Sequence, residues 1–229
     1  MATYVLPDLS YDYGALEPHI SGKIVELHHG KHHAAYVKGA NTALEQLAQA
    51  RAQKDFAKIA GLERALAFNV SGHVLHSLFW RNLSPDGGDA PQGGLAEAIR
   101  RDLGDFAGFK TQMVEAATTT MGSGWAALIY EPLSKSLLVT QIHDHQNQQA
   151  QGGVPLMVLD AWEHAYYLQY QTEKAKYFEA IWNLWNWDDI AARFARARSA
   201  DLGLDGDVIR KPESGRRRGK AEPPTIGLD

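Results

Sequence analysis

Four histidines lie close together near the N-terminus, in the segment LHHGKHHAAY. On a helix, His28, His32 and Tyr36 would share one face, because residues four apart lie about one turn apart. The other two histidines, His29 and His33, would be rotated by about 100° and would lie nearer the flank of the apolar stripe. We therefore predict that the stripe beginning at His28 faces the core, although a solvated histidine face would show the same spacing.

Two further clusters combine ligand-type side chains with apolar surroundings. His73 and His76 are three residues apart in SGHVLHSLFW, and Asp160 precedes His164 by four residues in LDAWEHAYY. A lone histidine in such a segment is more often a core residue, and Asp160 also suits the N-cap of a helix. However, an ionised carboxylate among apolar residues needs a cation or dense hydrogen bonding to offset its desolvation. Together with His28, these residues predict a metal site.

The composition limits the ligands and the metal. The chain has no cysteine among its 229 residues, which excludes disulfides, iron–sulfur clusters and thiolate metal sites. Imidazole with carboxylate suits Fe, Mn or Zn, whereas Ca and Mg prefer oxygen ligands alone. A non-haem iron oxygenase, which uses two histidines and one carboxylate, and a metal-binding protein without catalysis are alternatives at this point.

The bulk composition is that of an ordinary globular protein. Hydrophobic residues make up 45% of the chain and charged residues 22%, which argues against disorder of the main body. A formal net charge of −4 gives no overall positive field, so no nucleic-acid partner is expected. No stretch approaches the roughly 20 apolar residues of a membrane span, and no basic region followed by an apolar run opens the chain. We therefore expect a soluble, cytoplasmic protein with no membrane partner.

The elements that must position these residues follow from apolar periodicity. Apolar residues at three- and four-residue steps predict one long helix over residues 20–50. The same pattern over residues 59–79 predicts a second long helix or a broken pair, folded back on the first as a hairpin. The segment NLSPDGGDAPQGG then combines proline, glycine and aspartate and can continue neither helix nor strand. Residues 95–121 predict one or two short helices.

A different pattern fills the C-terminal half. Alternating and β-branched residues in WAALIYEP and SLLVTQIHDH predict two antiparallel strands, and VPLMVL predicts a third. A helix is predicted directly afterwards in AWEHAYYLQY, followed by further helices. The fold class is therefore α+β: a long α-hairpin domain (residues 1–88), then an α/β domain with a small three-stranded antiparallel sheet (89–200) and the metal at their interface. The charged, proline-containing tail, residues 201–229, is expected to be disordered.

From about Tyr4 to Ala200 the chain matches the pattern of one known family, and five segments carry the match. They are LPDLSYDYGALEPHISGKIVELHHGKHHAAYVKGAN, SGHVLHSLFW, GSGWAALIYEP, DAWEHAYYLQY and IWNLWNW, of which DAWEHAYYLQY is the most specific. In these segments the chain resembles the iron/manganese superoxide dismutases, and its overall form is similar to that of actinobacterial members. The tail has no counterpart in the family pattern.

Carried over position by position, the resemblance implies one Fe or Mn ion per subunit. The implied ligands are His28, His76, Asp160 and His164, with a solvent molecule as fifth ligand. The implied reaction converts superoxide to O₂ and H₂O₂ by alternate reduction and oxidation of the metal. The resemblance leaves the choice between Fe and Mn, or the use of either, open.

The resemblance also implies roles for residues around the metal. His32 and Tyr36 match the pair that narrows the substrate channel and joins the proton relay. The aromatic walls of the metal pocket are matched by Trp80, Trp125 and Trp162.

Further matches concern the surface of the subunit. Glu163 and Tyr167, together with His32, match residues at the interface of a homodimer or tetramer. Lys31 and Lys174 match basic residues near the mouth of the channel, where they would attract the superoxide anion.

Two positions depart from the common family pattern. Leu75 stands before the second histidine ligand, where Asn is common, so a hydrogen-bonding group is absent there. The residue that hydrogen-bonds the solvent ligand is usually Gln, and it comes from one of two places. Gly72 occupies the place common in iron forms, and His145, with Gln146 adjacent, occupies the place common in manganese forms. Because histidine at this second place occurs in iron-using relatives, the two clues point in opposite directions.

Overall fold

The computed structural model describes residues 3–204, which form a helical hairpin followed by a three-stranded sheet packed among further helices. The α-helices in this range are α1 (Gly22–Leu27), α2 (Ala34–Gln53), α3 (Ile59–Asn82), α4 (Gly93–Leu103), α5 (Phe106–Thr118), α6 (Tyr167–Tyr170), α7 (Lys174–Ala180) and α8 (Trp187–Ala197). The strands are β1 (Gly124–Glu131), β2 (Ser136–His143) and β3 (Val154–Asp160). The predicted α+β fold class is confirmed.

The first predicted helix forms, but its hydrogen bonding changes in the middle. A π-helical turn, His28–His33, lies between α1 and α2. Hydrogen bonds in a π turn span five residues, so His28 and His33 come onto one face. Both are buried, as is His29, whereas His32 is exposed. The prediction that only the stripe beginning at His28 faces inward is therefore wrong, because the wider turn brings His33 into the core.

The hairpin closes tightly because small residues line the contact between its two helices. Ala40 and Ala43 of α2 are buried, and a Cβ atom at Gly39 would collide with the side-chain amide of Asn69 on α3. α3 runs unbroken and buries His76 completely. The second long helix and the hairpin are thus confirmed, and the hairpin brings His76 close to the π turn.

The sheet has the strand order β2-β1-β3, with β1 antiparallel to both neighbours. The central strand β1 is buried along all but its last residue, as expected for a strand covered on both faces. Its Trp125 pairs directly with Asp160, the last residue of β3. All three predicted strands are confirmed, and their register sets the position of the candidate carboxylate.

The segment after β3 departs from the predicted helix. Asp160 is followed by a 3₁₀ turn, Glu163–Ala165, and then only by the single turn α6. Tyr166 separates the two turns with a φ of −144°, which is outside the helical range. The Oδ1 atom of Asp160 accepts a hydrogen bond from the Trp162 backbone N–H at 2.8 Å. Oδ1 of Asp160 thus satisfies the Trp162 N–H at the start of the turn, whereas Oδ2 has no hydrogen-bond partner among the described residues.

Asn82, the last residue of α3, ties the hairpin to the sheet. Its buried side chain accepts a hydrogen bond from the Val158 N–H and donates one to the Leu156 carbonyl, each at 3.1 Å. Because β3 is an edge strand, these two backbone groups lack a strand partner, and the amide of Asn82 takes that place. The link fixes α3, which carries His76, against β3, which ends at Asp160.

Within residues 3–204, no helix has the length and apolar character needed to cross a lipid bilayer. Most of the tail predicted to be disordered, residues 205–229, lies outside the described residues.

Replacing Asn82 by alanine should lower the free energy of unfolding by about 2–5 kcal/mol, because two buried backbone groups lose their partner and a cavity remains. Urea unfolding of metal-loaded protein measures this change. Arg81→Ala is a matched control, because Arg81 is the exposed neighbour, and its substitution should change stability by less than about 0.5 kcal/mol. Coincident unfolding curves for Asn82→Ala and the unsubstituted protein would contradict this account of the link.

Candidate metal centre

Four side chains that are distant in the sequence meet between the hairpin and the sheet. His28 comes from the π turn, His76 from α3, Asp160 from the end of β3 and His164 from the following 3₁₀ turn. One possible ligand atom of each lies within 4.8 Å of the other three. The Oδ2 atom of Asp160 lies 3.1 Å from His28 Nε2, 3.4 Å from His164 Nε2 and 3.9 Å from His76 Nε2. The structure therefore brings together the four residues that the sequence singled out as ligands.

These four ligand atoms are buried, and none has a hydrogen-bond partner among the described residues. Buried polar atoms are almost always hydrogen-bonded, and an unpaired buried carboxylate oxygen is especially costly. Four such atoms converging on one point are satisfied together by a cation. Three imidazole nitrogens and one carboxylate oxygen form a donor set that fits iron or manganese.

Two of the four side chains are oriented by hydrogen bonds of their other polar atom. His76 Nδ1 lies 2.7 Å from the Gly72 carbonyl oxygen, so this nitrogen carries the proton and donates it. His76 Nε2 is left with a lone pair facing the cluster. Asp160 is held through Oδ1 by the Trp162 N–H, which leaves Oδ2 for a cation. Such outer hydrogen bonds commonly orient metal ligands.

Burial favours the protonation states that bind a metal. It lowers the pKa of His28 to about 4, with a further lowering from neighbouring His164, and it lowers the pKa of His76 well below the usual value. Burial alone would raise the pKa of Asp160, but the imidazoles of His164 and His28 close to its Oδ2 hold it below its usual range. At neutral pH the cluster therefore contains neutral imidazole beside an ionised carboxylate.

Three indole rings pack against the clustered histidines, and each indole N–H has a fixed acceptor. The acceptors are His33 Nδ1 for Trp80 at 3.1 Å, His145 Nδ1 for Trp125 at 3.0 Å and the Asp144 carbonyl oxygen for Trp162 at 3.1 Å. The ring centroids of Trp80 and His28 are 4.8 Å apart, and those of Trp125 and His76 are 5.0 Å apart. The three tryptophans indicated by the sequence thus lie where a pocket wall would be.

His145 is better placed than Gln146 to hydrogen-bond a molecule in this pocket. Because its Nδ1 accepts the N–H of Trp125, a neutral His145 ring carries its proton on Nε2. This Nε2 is buried, has no partner in the described part of the chain, and belongs to a ring 5.7 Å from that of His76. Gln146 instead turns its Oε1 back to accept from the His145 backbone N–H at 3.2 Å.

Gly72 leaves the space that the His145 and Tyr36 rings occupy. A Cβ atom at position 72 would lie 2.8 Å from Tyr36 Cγ and 3.2 Å from His145 Cδ2. The two alternative locations for the residue that bonds the solvent ligand are therefore neighbours in space. A side chain at position 72 would therefore require the Tyr36 ring to move and would press against the imidazole of His145.

His32 and Tyr36, which the resemblance implies as channel and proton-relay residues, both border the cluster. The exposed His32 ring stacks on that of His164 with centroids 4.2 Å apart. Tyr36 is buried, with its ring 4.5 Å from His145 and 5.0 Å from His76, and burial raises the pKa of its hydroxyl.

Three further residues that the resemblance implicates lie outside the cluster itself: Lys31, Lys174 and Leu75. Lys31 is exposed, and the ammonium group of Lys174 donates to the Thr118 carbonyl at 2.8 Å. Leu75 is buried in the hydrophobic core. A hydrocarbon side chain therefore packs at the position where the family resemblance leads to the expectation of an amide.

His33 is the residue near the site whose position the sequence analysis missed. It accepts a hydrogen bond from Trp80, and its other nitrogen lies 2.8 Å from His73 Nδ1. Its burial depends on the π turn, which shifts the helical phase. With ordinary α-helical spacing, His33 is expected on the flank of the apolar stripe. The one sign in the sequence that it could be buried is its separation of five residues from His28, which matches the step of a π turn.

Comparison with known proteins bears on the identity of this site. The family model described as iron/manganese superoxide dismutases, alpha-hairpin domain, matches residues 3–84. The model described as iron/manganese superoxide dismutases, C-terminal domain, matches residues 91–193. The two matches together contain all four clustered residues.

Curated relatives match most of the chain at more than half identity. The superoxide dismutase [Fe] of Mycobacterium tuberculosis (strain CDC 1551 / Oshkosh) is 55% identical over 204 residues, which are 89% of this chain and 99% of the relative. The superoxide dismutase [Mn] of Mycolicibacterium smegmatis (strain ATCC 700084 / mc(2)155) is 54% identical, with the same coverage of both chains. The superoxide dismutase [Mn/Fe] of Propionibacterium freudenreichii subsp. shermanii is 53% identical over 87% of this chain and 100% of its own. The chain therefore belongs to the iron/manganese superoxide dismutase family.

Proposed function

We propose that this chain converts superoxide to O₂ and H₂O₂ at one iron or manganese ion held by His28, His76, Asp160 and His164. The observation that carries the proposal is the convergence of four buried, unpaired ligand atoms within 4.8 Å. Membership of the superoxide dismutase family supports the reaction. Relatives named for Fe, for Mn and for both metals support a site that accepts either ion.

The metal and the surrounding side chains have separate tasks in this proposal. A bound Fe or Mn ion supplies reversible one-electron transfer, which redox-inert zinc does not. The chain must supply protons, because the product H₂O₂ carries two and superoxide carries none. Tyr36 and His32 border the cluster, and each side chain can both donate and accept a proton. The hydroxyl of Tyr36 is protonated at neutral pH, as in any tyrosine, and can act as a donor; burial raises its pKa further.

His145 has a different task, which follows from its tautomer. Its Nε2–H is a donor that Trp125 holds in one orientation, beside the metal cluster. A donor in this position favours a negatively charged molecule in the pocket over a neutral one. We propose that His145, and not Gln146, tunes the metal site by this hydrogen bond. Trp125 and Trp162, which pack on the ring of a clustered histidine, would limit the access of water.

The same site disfavours a non-haem iron oxygenase. Such an enzyme uses two histidines and one carboxylate and leaves the remaining positions open for O₂ and a cosubstrate. Here a third imidazole points into the cluster and takes one of those positions. A protein that only stores metal has no need for a proton-bearing tyrosine and histidine beside the ion, and activity measurement distinguishes it from an enzyme.

Protein reconstituted separately with iron and with manganese should bind one ion per chain and remove superoxide in at least one of the two forms. Asp160→Asn should reduce metal content or activity by about 100-fold or more, because the only charge in the ligand set is lost. Elemental analysis and a superoxide assay measure both. Asp105→Asn is the control, since Asn replaces Asp equally well at this N-cap of α5. Stoichiometric Fe and Mn forms that both fail to remove superoxide would refute the function.

Substitutions of His145 should separate its hydrogen bond from its bulk. His145→Leu removes the donor and should lower kcat/KM by about 10- to 100-fold at matched metal content. His145→Gln can accept from Trp125 and still present an N–H, so it should lose much less. If leucine and glutamine gave the same kcat/KM, the proposed hydrogen bond would have no part in the reaction.

We also propose that the chain forms a homodimer, or a tetramer built from it, through Glu163, Tyr167 and His32. All three side chains are exposed next to the site, and the neighbouring apolar Leu168 is 65% exposed. Sedimentation velocity should give at least twice the 25.3 kDa mass of one chain. Tyr167→Lys should shift the protein toward monomer, whereas Leu138→Lys on strand β2 should not. A native sample that sediments as a single chain would contradict the proposal.

A further inference from the structure

A row of hydrogen-bonded side chains leads away from the metal cluster on the side of Trp80. The Trp80 Nε1–H donates to His33 Nδ1 at 3.1 Å, and His33 Nε2 lies 2.8 Å from His73 Nδ1. Trp80 is 4% exposed and His33 is fully buried. We propose that His33 and His73 are positioning residues that hold the Trp80 indole against His28 through hydrogen bonds of one fixed direction. The proposal concerns the metal site proposed above and rests on it.

The direction of this row follows from the chemistry of its first member. An indole N–H can only donate, so His33 Nδ1 must accept and carries no proton. A neutral His33 then has its proton on Nε2 and donates it to His73 Nδ1. His73 accepts at Nδ1, so its own proton is on Nε2. If His33 were protonated, its Nδ1–H would face the N–H of Trp80, and two donors would meet. If His73 were protonated, its Nδ1–H would face the Nε2–H of His33 in the same way. The row therefore requires both histidines to be neutral.

The outer end of the row is held from the N-terminal segment. The Tyr4 ring packs edge-on against His73, with centroids 5.3 Å apart and planes at 69°. Tyr4 is itself fixed by two hydrogen bonds with the Asn41 side chain on α2, both at 2.9 Å. The hydroxyl of Ser77 lies 3.5 Å from the same His73 Nδ1, which is at the limit of a hydrogen bond. His33 is thus the principal donor to His73.

The inner end of the row touches two of the four clustered side chains. The Trp80 ring meets that of His28 at 74° with centroids 4.8 Å apart, and the His33 ring stacks on that of His76 at 5.4 Å. Without an acceptor, the Trp80 N–H would be buried and unpaired, which favours rotation of the indole toward another partner. Rotation would change the packing around His28. His33 therefore acts on the metal site through Trp80.

Two substitutions of His33 test this role against a merely structural one. Glutamine can reproduce both hydrogen bonds, accepting from Trp80 with Oε1 and donating to His73 with Nε2, whereas leucine has similar bulk and makes neither. Each is made alone and with Trp80→Phe, and the electron paramagnetic resonance spectrum of the Mn(II)-loaded protein is compared at equal metal content. His33→Leu should change the spectrum and lower kcat/KM by about 10-fold, and His33→Gln should restore most of both. When combined with Trp80→Phe, leucine and glutamine should give the same spectrum, because no indole N–H remains.

Ser77→Ala serves as the control for the His33 substitutions. Ser77→Ala should leave the spectrum unchanged, since it removes only the long contact to His73. A spectral change from His33→Leu that is as large in combination with Trp80→Phe as it is alone would overturn the proposal, because His33 would then act by bulk alone.

Neutron diffraction from metal-loaded crystals of the unsubstituted protein gives a second test that does not depend on activity or on a variant that folds. It should show a deuteron on Nε2 of both His33 and His73 and none on either Nδ1. A deuteron on His33 Nδ1 would overturn the proposal even in an active enzyme. The expected pattern in a protein without dismutase activity would refute only the proposed function.

Discussion

The buried carboxylate of Asp160 is the constraint on which the site depends. It lies at the end of β3 with no exposed surface, and its Oδ2 faces imidazole nitrogens of three histidines within 3.9 Å. One backbone N–H satisfies Oδ1 but leaves most of the negative charge uncompensated. Burial favours neutral imidazole at His28 and His76, so these rings do not supply a counter-charge. A bound cation would remove this imbalance at the point where the π turn, α3 and the end of β3 meet.

Two tryptophan N–H groups near Asp160 determine which ring nitrogen of a neighbouring histidine carries the proton. An indole has one donor and no acceptor, so a histidine that receives its hydrogen bond at Nδ1 can keep only the Nε2 proton when neutral. Trp125 imposes this form on His145, whose remaining N–H lies beside the cluster. Trp80 imposes the same form on His33, whose remaining N–H is directed to His73 and away from the metal. The same rule thus underlies the two proposed roles, that of His145 in the pocket and that of His33 behind its wall.

Much of this arrangement could be predicted from the sequence. The hairpin, the three strands and the four clustered residues follow from apolar periodicity, from ligand-type side chains in apolar segments and from a family resemblance. The burial of His33 could not be predicted, because a π turn changes backbone hydrogen bonds without leaving a composition pattern. The irregular segment after β3 was also missed. The residues there favour a helix, but the backbone leaves the helical range at Tyr166, whose φ is −144°, so tertiary context overrides the local preference.

Gly72 packs directly against Tyr36 and His145, and this contact bears on the choice between iron and manganese. In the sequence, Gly72 and His145 are two clues that point to different metals. In the structure these two residues are in close contact. A Cβ atom at position 72 would lie 3.2 Å from the His145 ring and 2.8 Å from Tyr36 Cγ. Gly72 is therefore coupled to the positions of Tyr36 and His145, and the two clues to the metal are not sterically independent. Relatives that are 53–55% identical to this chain are named for Fe, for Mn and for both, so overall identity does not indicate which metal this chain prefers. The Nε2–H of His145, held in place by Trp125, is a buried donor beside the cluster with no partner among the described residues, and we propose that its hydrogen bond contributes to the metal preference of this chain.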